Sequence, residues 1–544
     1  MKFIGTPGDD DLVGTSGDDQ FNMTQGGNDT VDGGAGNDIF SFGATFNLND
    51  KLEGGTGNDT LVLSGDYSGG LYMSPTVLHG VEKIQVQVGH SYDLGFYDGV
   101  IDHGSSLTVN ATGLAVTDSV YVDGGFLTSA SADTKLVVDV GAGPARFVPG
   151  PGVNVFHGGS GQAIVYFAGQ FNSSDQMDGG TSNVSEINLN GDYSTGLIIT
   201  ATMMHNFSEL AVENGFNYNL TTADACVAAG QQLAVNAYAL GAGSSLTFNG
   251  SHETDGGFNF TDGAGNDVLT GGAQHDFFYM VRGGADKVSA GGGDDGIEFD
   301  NTLTSADHIN GGAGNDYLEL SGDYSAGLKF GATTMINVET LLFNPGHFKL
   351  VMDDGNVAAG QQLSINSTAL GATDSVYIDA SRETDGTYDF HGSVGVDTFI
   401  GGQAGNKFFG GLGSDRMTAG AGIDTFTVTD VGESTGLGRD VITGFDALQD
   451  RFDFNGIVTG IDSAVTTGVL RNGHFDSDLA HYIDSAHLGA QHAVLYTPDS
   501  GDWAGHTFLV VDVNGTAGYQ AGQDMVFQLE SGAHLANLST SDFI

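Results

Sequence analysis

Cysteine, positive charge and long apolar runs are scarce in this chain of 544 residues. Its one cysteine, Cys226, excludes an internal disulfide framework. Only 15 Lys and Arg oppose 68 Asp and Glu, so the net charge of -53 makes nucleic acid and anionic membranes unexpected partners. No run approaches the roughly 18 apolar residues of a membrane span, and residues 1–10 lack an apolar signal-peptide core. Taken alone, these absences predict a cytosolic protein.

Glycine and aspartate are abundant instead. The chain has 89 Gly but only 7 Pro, and its 68 acids divide into 56 Asp and 12 Glu. Asp fits in tight turns and can offer its oxygens to a cation held close to the backbone. Because 39% of the residues are apolar, the chain can still build a core once its carboxylates are neutralised. This composition favours a long array of repeated units.

Nonapeptides repeat in register at two places, residues 5–41 and 262–298. Each unit has an acid at its sixth position and an apolar residue at its eighth. In both blocks the acids are 9, 10 and 9 residues apart, with an extra methionine at the same step. A half-unit and a full unit follow each block. The acids of these units are Asp10, Asp19, Asp29, Asp38, Asp50 and Asp59 in the first block, and Asp267, Asp276, Asp286, Asp295, Asp307 and Asp316 in the later one.

Longer segments between these blocks repeat as well, each opening on "LSGDYS" or "LNGDYS". Their β-branched and alternating runs, bounded by turn residues, predict strands that stack as rungs of one extended sheet. The chain therefore divides into eight predicted regions. These are acid-rich block 1 (1–62), β segment 1 (63–140), degenerate block 2 (141–188), β segment 2 (189–261), block 3 (262–319), β segment 3 (320–391), block 4 (392–427) and a C-terminal region (428–544).

The nonapeptide form G-G-x-G-x-D-x-U-x suits a calcium-binding turn. Its glycines allow a sharp turn that exposes carbonyls, and its Asp adds a carboxylate. Calcium prefers six to eight oxygen ligands at roughly 2.3–2.6 Å and accepts both kinds. Without a cation, the stacked carboxylates would repel one another. The register therefore predicts calcium as the cofactor, held by several turns.

These residues resemble the RTX repeat family of calcium-binding proteins exported by type I secretion. The resemblance implies an all-β, right-handed parallel β-roll or β-solenoid, in which calcium-binding blocks alternate with calcium-free β segments. It also implies that acids of like-sided turns share an ion. The implied pairs are Asp10 with Asp29, Asp19 with Asp38, Asp267 with Asp286, and Asp276 with Asp295.

Two blocks depart from this pattern. Block 4 supplies Asp397, Asp415 and Asp424, but Asn406 stands where a fourth acid is expected. In block 2, register predicts acids near residues 154, 163 and 184, where the chain has Asn154, Ala163 and Val184. Only Asp175 survives there. We therefore expect block 2 to be held together by apolar stacking.

The C-terminal region resembles the segment that follows the repeats in serralysin-type secreted proteases, from "FTVTDVGESTG" at residue 426 to the terminal "DFI". This implies an uncleaved bacterial type I secretion signal and reverses the cytosolic prediction. The type I secretion apparatus becomes an expected partner. The acid-rich blocks would stay unfolded in low cytosolic calcium and fold outside the cell.

No catalytic motif emerges from the sequence, and no catalytic or organic-cofactor residue is predicted. "HETD" at 252–255 lacks the second histidine of a zincin, "GHSYD" at 89–93 lacks the last glycine of a nucleophile elbow, and Cys226 aligns with Asn356. The favoured function is a secreted structural or adhesive protein, with a cell-surface glycan or self-assembly as its partner. A polysaccharide lyase or epimerase on a β-solenoid is the alternative.

Overall fold

The computed structural model describes residues 1–544, apart from the side chain of Ser129. The chain divides into two compact units, residues 1–276 and 277–544. Almost all regular structure is β, and the strands coil so that each pairs with one a full coil further along the chain. Lys2 pairs with Gln20, for example, and Gln20 with Ile39, both in parallel.

In the first unit one face is a parallel sheet of ten short strands. Because successive strands lie one coil apart, the acid-rich blocks and the β segments contribute to the same sheet. In order across the sheet, the strands are Lys2–Ile4, Gln20–Asn22, Ile39–Phe42, Thr60–Leu63, Lys83–Val86, Ser106–Ala111, Lys135–Val140, Val153–His157, Gln176–Asp178 and Met204–His205.

Three further parallel sets complete this unit. A four-stranded sheet contains Asp11–Val13, Thr30–Asp32, Lys51–Glu53 and Leu78–His79. A second set contains Tyr67–Met73, Tyr92–Phe96, Val120–Asp123, Ala145–Val148, Ala163–Phe167, Glu186–Leu189, Glu209–Val212, Gln232–Asn236 and Gly257–Thr261. A third contains Tyr193–Ile199, Tyr218–Thr222, Leu246–Asn249 and Val268–Thr270.

The second unit repeats this arrangement and then changes at its C-terminal end. Its first parallel strands are Phe277–Met280, Lys287–Gly292, Gly296–Phe299, His308–Ala313, Tyr317–Lys329, Met335–Ile336 and Thr340–Val351. Two alternating rows follow. One holds Gln362–Asn366, Thr387–His391, Lys407–Phe409, Thr425–Val428 and Arg451–Phe454; the other holds Ser375–Asp379, Thr398–Ile400, Arg416–Thr418 and Asp440–Thr443.

Residues beyond 454 form a different kind of structure. Met525–Glu530 pairs in parallel with Asp440–Thr443, but Thr507–Val511 and His492–Tyr496 add to it in antiparallel order. Shorter pieces surround these strands. Gly460–Ile461 pairs with His492–Tyr496, and Val469–Leu470 pairs with Ser500–Gly501. The same region contains the α-helix Phe475–Tyr482 and the 3-10 turns Asn472–His474, Leu535–Asn537 and Thr540–Asp542. Three more 3-10 turns lie earlier in the chain, at Ser129–Ser131, Val431–Glu433 and Gly436–Gly438. In the described part of the chain no helix has the length and apolar character to cross a membrane.

Aromatic side chains stack along the inside of the coils. Phe21 lies 4.6 Å from Phe3 and 5.0 Å from Phe40, ring centre to ring centre. In the second unit Phe408 lies 5.1 Å from both Phe390 and Phe426. In the nonapeptides this inward residue is the apolar residue at position eight. A three-residue strand such as Gln20–Asn22 therefore buries one side chain, whereas a longer strand such as Ser106–Ala111 buries three. The predicted parallel β-roll and the stacked rungs of the longer segments are confirmed.

Candidate calcium-binding turns

The sixth-position acids form ladders that run from coil to coil. Each acid stands just before a strand. In the second acid of each pair below, Oδ1 accepts the backbone N–H of the acid one coil earlier. This places the acids of like-sided turns next to each other, as predicted for Asp10 with Asp29 and Asp19 with Asp38. The N–H to Oδ1 distances are 3.0 Å for Asp10 to Asp29, 2.8 Å for Asp19 to Asp38, 2.7 Å for Asp29 to Asp50, 2.7 Å for Asp38 to Asp59, 2.7 Å for Asp286 to Asp307, 2.8 Å for Asp295 to Asp316 and 2.8 Å for Asp397 to Asp415.

The ladders extend one acid beyond the predicted set. The N–H of Asp59 donates to Oε2 of Glu82, and that of Asp316 to Oε2 of Glu339, both at 2.8 Å. In block 4, Asp415 donates to Asp440 at 3.0 Å and Asp424 to Asp450 at 2.9 Å. These four acceptors were missed because longer loops separate them from the last nonapeptide. Their position immediately before a strand, or at its first residue for Asp440, was the available signal.

Four turns leave the second carboxylate oxygen buried without a hydrogen-bond partner. The atoms are Oδ2 of Asp38, Asp59, Asp316 and Asp415. Each of these turns has the complete G-G-x-G-x-D sequence, and the second and fourth residues are glycines with positive φ, a conformation that other residues rarely adopt. We call these the open turns. Their positive-φ glycines are Gly34, Gly36, Gly55, Gly57, Gly312, Gly314, Gly411 and Gly413.

Other turns give the second carboxylate oxygen a donor of their own, because Oδ2 accepts the N–H of the residue four positions earlier in the same turn. Oδ1 has a partner as well. It is a backbone N–H of the preceding coil for Asp267, Asp276, Asp397 and Asp424, the N-terminal amino group for Asp19, and the hydroxyl of Thr6 for Asp10. We call these the self-capped turns, and each departs from the complete G-G-x-G-x-D sequence. The N–H to Oδ2 distances are 2.6 Å for Thr6 to Asp10, 2.5 Å for Thr15 to Asp19, 2.8 Å for Gly263 to Asp267, 2.6 Å for Gly272 to Asp276, 2.7 Å for Ser393 to Asp397 and 2.7 Å for Gly420 to Asp424.

The two half-units are capped in a similar way. Oδ2 of Asp50 accepts the N–H of Asn47 at 2.7 Å, and Oδ2 of Asp307 accepts that of Thr304 at 2.7 Å. The fifteen predicted acids therefore all lie in turns, yet they differ in what their second oxygen contacts.

At two positions of the ladders an asparagine stands in place of the acid. Nδ2 of Asn406 donates to the carbonyls of Gly402 and Ala404, at 3.2 and 2.8 Å, and to Oδ1 of Asp424 at 2.9 Å. In block 2, Nδ2 of Asn154 makes equivalent bonds, among them one of 2.8 Å to Asp175. The Nδ2 group of each asparagine thus lies between the turn carbonyls and the next carboxylate. It donates hydrogen bonds to oxygens that a cation would otherwise bind.

One residue of block 2 was assigned in the wrong register. Val184, the predicted replacement for an acid, is exposed, whereas Ser185 is fully buried. Ser185 donates its N–H to Oγ of Ser208 at 3.0 Å and its hydroxyl to the carbonyl of Gly179 at 3.0 Å. The prediction failed because the turn before this strand is one residue longer than a strict nonapeptide count allows. Ala163, as expected, is an apolar core residue.

Burial and like charge disfavour the ionised form of the open-turn acids. Burial raises the pKa of Asp59 to about 6, and the negative charges of Glu82 and Asp38 add to this, while the N–H of Asp38 opposes it. Burial, followed by the charge of Asp440, raises the pKa of Asp415 to about 9. Asp38 and Asp316 also have raised pKa values, chiefly because they are buried. An ionised carboxylate at these positions therefore needs a compensating positive charge.

A hard divalent cation would supply that charge. Calcium binds carboxylates and carbonyls and needs no nitrogen or sulfur ligand. The orphaned Oδ2 atoms fit this requirement, since each is a buried acceptor with no donor. Fold and site together define a parallel β-roll whose glycine turns present stacked carboxylates to cations.

Comparison with known families agrees with this class. A family model described as the RTX calcium-binding nonapeptide repeat matches residues 4–22, 23–47, 45–66, 259–279, 301–323 and 391–426. The chain therefore carries RTX calcium-binding repeats, as the sequence indicated. The matched segments include the four open turns and end at residue 426. No curated protein matches the chain.

Two residues considered for catalysis have structural partners. Cys226 is buried, donates its thiol to the carbonyl of Ile199 at 3.2 Å, and burial raises its pKa to about 11. Ser91 accepts the N–H of Ser119 through its hydroxyl at 3.1 Å, one coil away. Both contacts agree with turn-filling roles.

Proposed function

We propose that this is a secreted calcium-binding repeat protein that folds on calcium outside the cell and acts as a structural or adhesive protein. The single observation that carries the proposal is the set of buried, unpartnered Oδ2 atoms of Asp38, Asp59, Asp316 and Asp415. In each open turn the acid would hold an ion together with the next carboxylate of its ladder.

Electrostatics link these sites to folding. The acids Asp38, Asp59 and Glu82 lie next to one another in three consecutive coils. Without calcium, stacking them in a low-dielectric interior opposes folding. With calcium, each site adds about 2.7 kcal/mol of stability when free calcium is 100 times its dissociation constant. A chain with several such sites would stay unfolded at low calcium and fold where calcium is abundant.

Secretion and a non-enzymatic role belong to the same proposal. RTX repeats are typical of secreted proteins, and a C-terminal type I signal would let the unfolded chain leave the cell through the type I secretion apparatus. Repeated coils fill most of the chain, which suits a scaffold that binds a cell-surface glycan or assembles with itself.

A calcium titration tests this function. The protein is prepared in chelator and followed by far-ultraviolet circular dichroism and light scattering while calcium is added, with magnesium as the control ion. We expect β-structure to increase steeply with calcium but not with equal magnesium, and larger particles to form once folding is complete. Full β-structure in chelator would contradict calcium-dependent folding. A monomer at every calcium concentration would contradict self-assembly.

A further inference from the structure

Three carboxylates converge at two equivalent places outside the nonapeptide turns. In the first unit they belong to Asp224, Glu253 and Asp255; in the second, to Asp354, Glu383 and Asp385. Within each set, one oxygen from every carboxylate lies within 4.8 Å of the others. Each set joins the turn just before "VAAGQQL" to the repeated "ETDG" turn about one coil later.

The central glutamate of each set is buried and faces this group of acids. Glu253 and Glu383 both have 0% of their surface exposed. Oε1 of Glu383 accepts the N–H groups of Thr384, Asp385 and Gly386 at 3.1, 3.2 and 2.9 Å, but its Oε2 has no partner. The neighbouring Arg382 approaches Asp353, at 4.0 Å, rather than the buried glutamate. A buried carboxylate oxygen without a donor, such as Oε2 of Glu383, needs a donor or a cation. In the other set the corresponding oxygen, Oε2 of Glu253, accepts one long bond of 3.4 Å from the N–H of Val227.

The first copy of the same turn shows which part of the arrangement is structural. In all three copies a threonine donates its N–H to an aspartate 30 residues earlier: Thr128 to Asp98 at 2.7 Å, Thr254 to Asp224 at 3.1 Å, and Thr384 to Asp354 at 2.9 Å. In the first copy, however, Leu127 and Ser129 occupy the positions of the glutamate and the second aspartate. The turn therefore forms without those two acids, and their presence in copies two and three needs another reason.

We propose that each of the two later copies binds one calcium ion through these three carboxylates. The ligands are all oxygens, which suits a hard cation. Oxygens that share one calcium ion can lie up to about 5 Å apart, so one ion can reach all three carboxylates of a set. Each ion would join two coils of a β segment that was predicted to be free of calcium.

Ion counting on the full-length protein tests the proposal. Bound calcium per chain is measured by equilibrium dialysis and mass spectrometry for the native protein and for the double variant Glu253→Gln with Glu383→Gln. We expect the double variant to lose two ions and each single variant one. Asp98→Asn is the matched control, because it removes the aspartate from the copy without the glutamate; its ion count should be unchanged.

The first copy also allows a gain-of-function test. Leu127→Glu combined with Ser129→Asp rebuilds the three-acid set around Asp98, and we expect one additional ion per chain. An unchanged count in both the Gln variants and the rebuilt copy would overturn the proposal. If the Gln variants do not fold, Asp255→Asn with Asp385→Asn, at exposed positions, replaces them. The nonapeptide sites are untouched in all these variants, so a protein that binds no calcium at all would instead refute the proposed function.

Discussion

At the scale of the residue, one carboxylate oxygen separates two kinds of turn. In the self-capped turns both oxygens accept hydrogen bonds, as those of Asp424 do from the N–H groups of Asn406 and Gly420. In the open turns Oδ2 is buried and has no donor. The first arrangement is complete without an ion, and the second is not. We therefore expect the open turns to account for most of the calcium that the nonapeptides bind.

Block 4 offers a matched pair for testing this difference. Asp415→Asn should raise the calcium concentration at half-saturation about tenfold, equal to about 1.4 kcal/mol, because a charged ligand is lost. Asp424→Asn, nine residues later, should change it by less than about twofold, because an amide can replace the self-capped carboxylate as Asn406 already does. Isothermal titration calorimetry measures both. Equal losses of affinity would refute the distinction between open and self-capped turns.

The difference between the turns was readable in the sequence but was not recognised there. Every turn with the complete G-G-x-G-x-D sequence is open, whereas "GTPGDD" ending at Asp10, "GGAQHD" ending at Asp276 and "AGAGID" ending at Asp424 are self-capped. An acid at position six is common to both kinds, so counting acids alone treated them as equal. The physical difference is whether positions two and four adopt positive φ. Glycine there permits it but does not ensure it, because the self-capped turns ending at Asp267 and Asp424 have glycine at both positions and neither glycine has a positive φ.

At the scale of the element, open turns stack closely upon each other. The N–H of Thr56 donates to the carbonyl of Gly34 at 2.9 Å, and that of Gly36 to the carbonyl of Thr56 at 2.9 Å. Gly57, with a φ of 150°, lies so near the carbonyl of Gly36 that a Cβ would overlap it. Glycine is therefore required both for the shape of the turn and for the approach of its neighbour.

Substitutions at the fourth position of two turns test this requirement. Gly57→Ala in an open turn should lower the free energy of unfolding in calcium by about 2 kcal/mol or more, because positive φ and the overlap with Gly36 are both unfavourable. Gly17→Ala, at the same position of a self-capped turn, meets no atom within 4 Å and has no positive φ. It should be neutral or slightly stabilising. Chemical denaturation measures both, and equal destabilisation would contradict this account.

Strands were easier to predict than the ends of the ladders. The apolar eighth residue and the β-branched runs depend only on local sequence, and strands such as Ile39–Phe42 and Lys135–Val140 lie where those patterns occur. Glu82 and Asp440 could not be placed, because the loops before them have no fixed length and only three-dimensional stacking brings them beneath Asp59 and Asp415. Asp224 and Glu253 were missed for the same reason.

At the scale of the whole molecule, the coils differ in how they balance their buried polar groups. In a solenoid each repeat contacts mainly its neighbours, so stability varies along the chain. Around Asp38 and Asp59 the ladder consists of carboxylates that need a cation. In block 2 the amide of Asn154 bonds directly to Asp175, and Ser185 bonds to Ser208. Block 2 therefore has fewer uncompensated charges than block 1.

Hydrogen exchange can locate this difference in one experiment. In chelator we expect the amides of Val153–His157 and Ala163–Phe167 to retain at least about tenfold more protection than those of Ile39–Phe42 and Thr60–Leu63, because local opening reports local stability. In saturating calcium, protection in block 1 should rise to at least the level of block 2. Mass spectrometry of peptides from the exchanged protein measures both states. A uniform loss of protection in chelator would show that the first unit unfolds as one cooperative body, and greater protection in block 1 would refute the role of the amides in block 2.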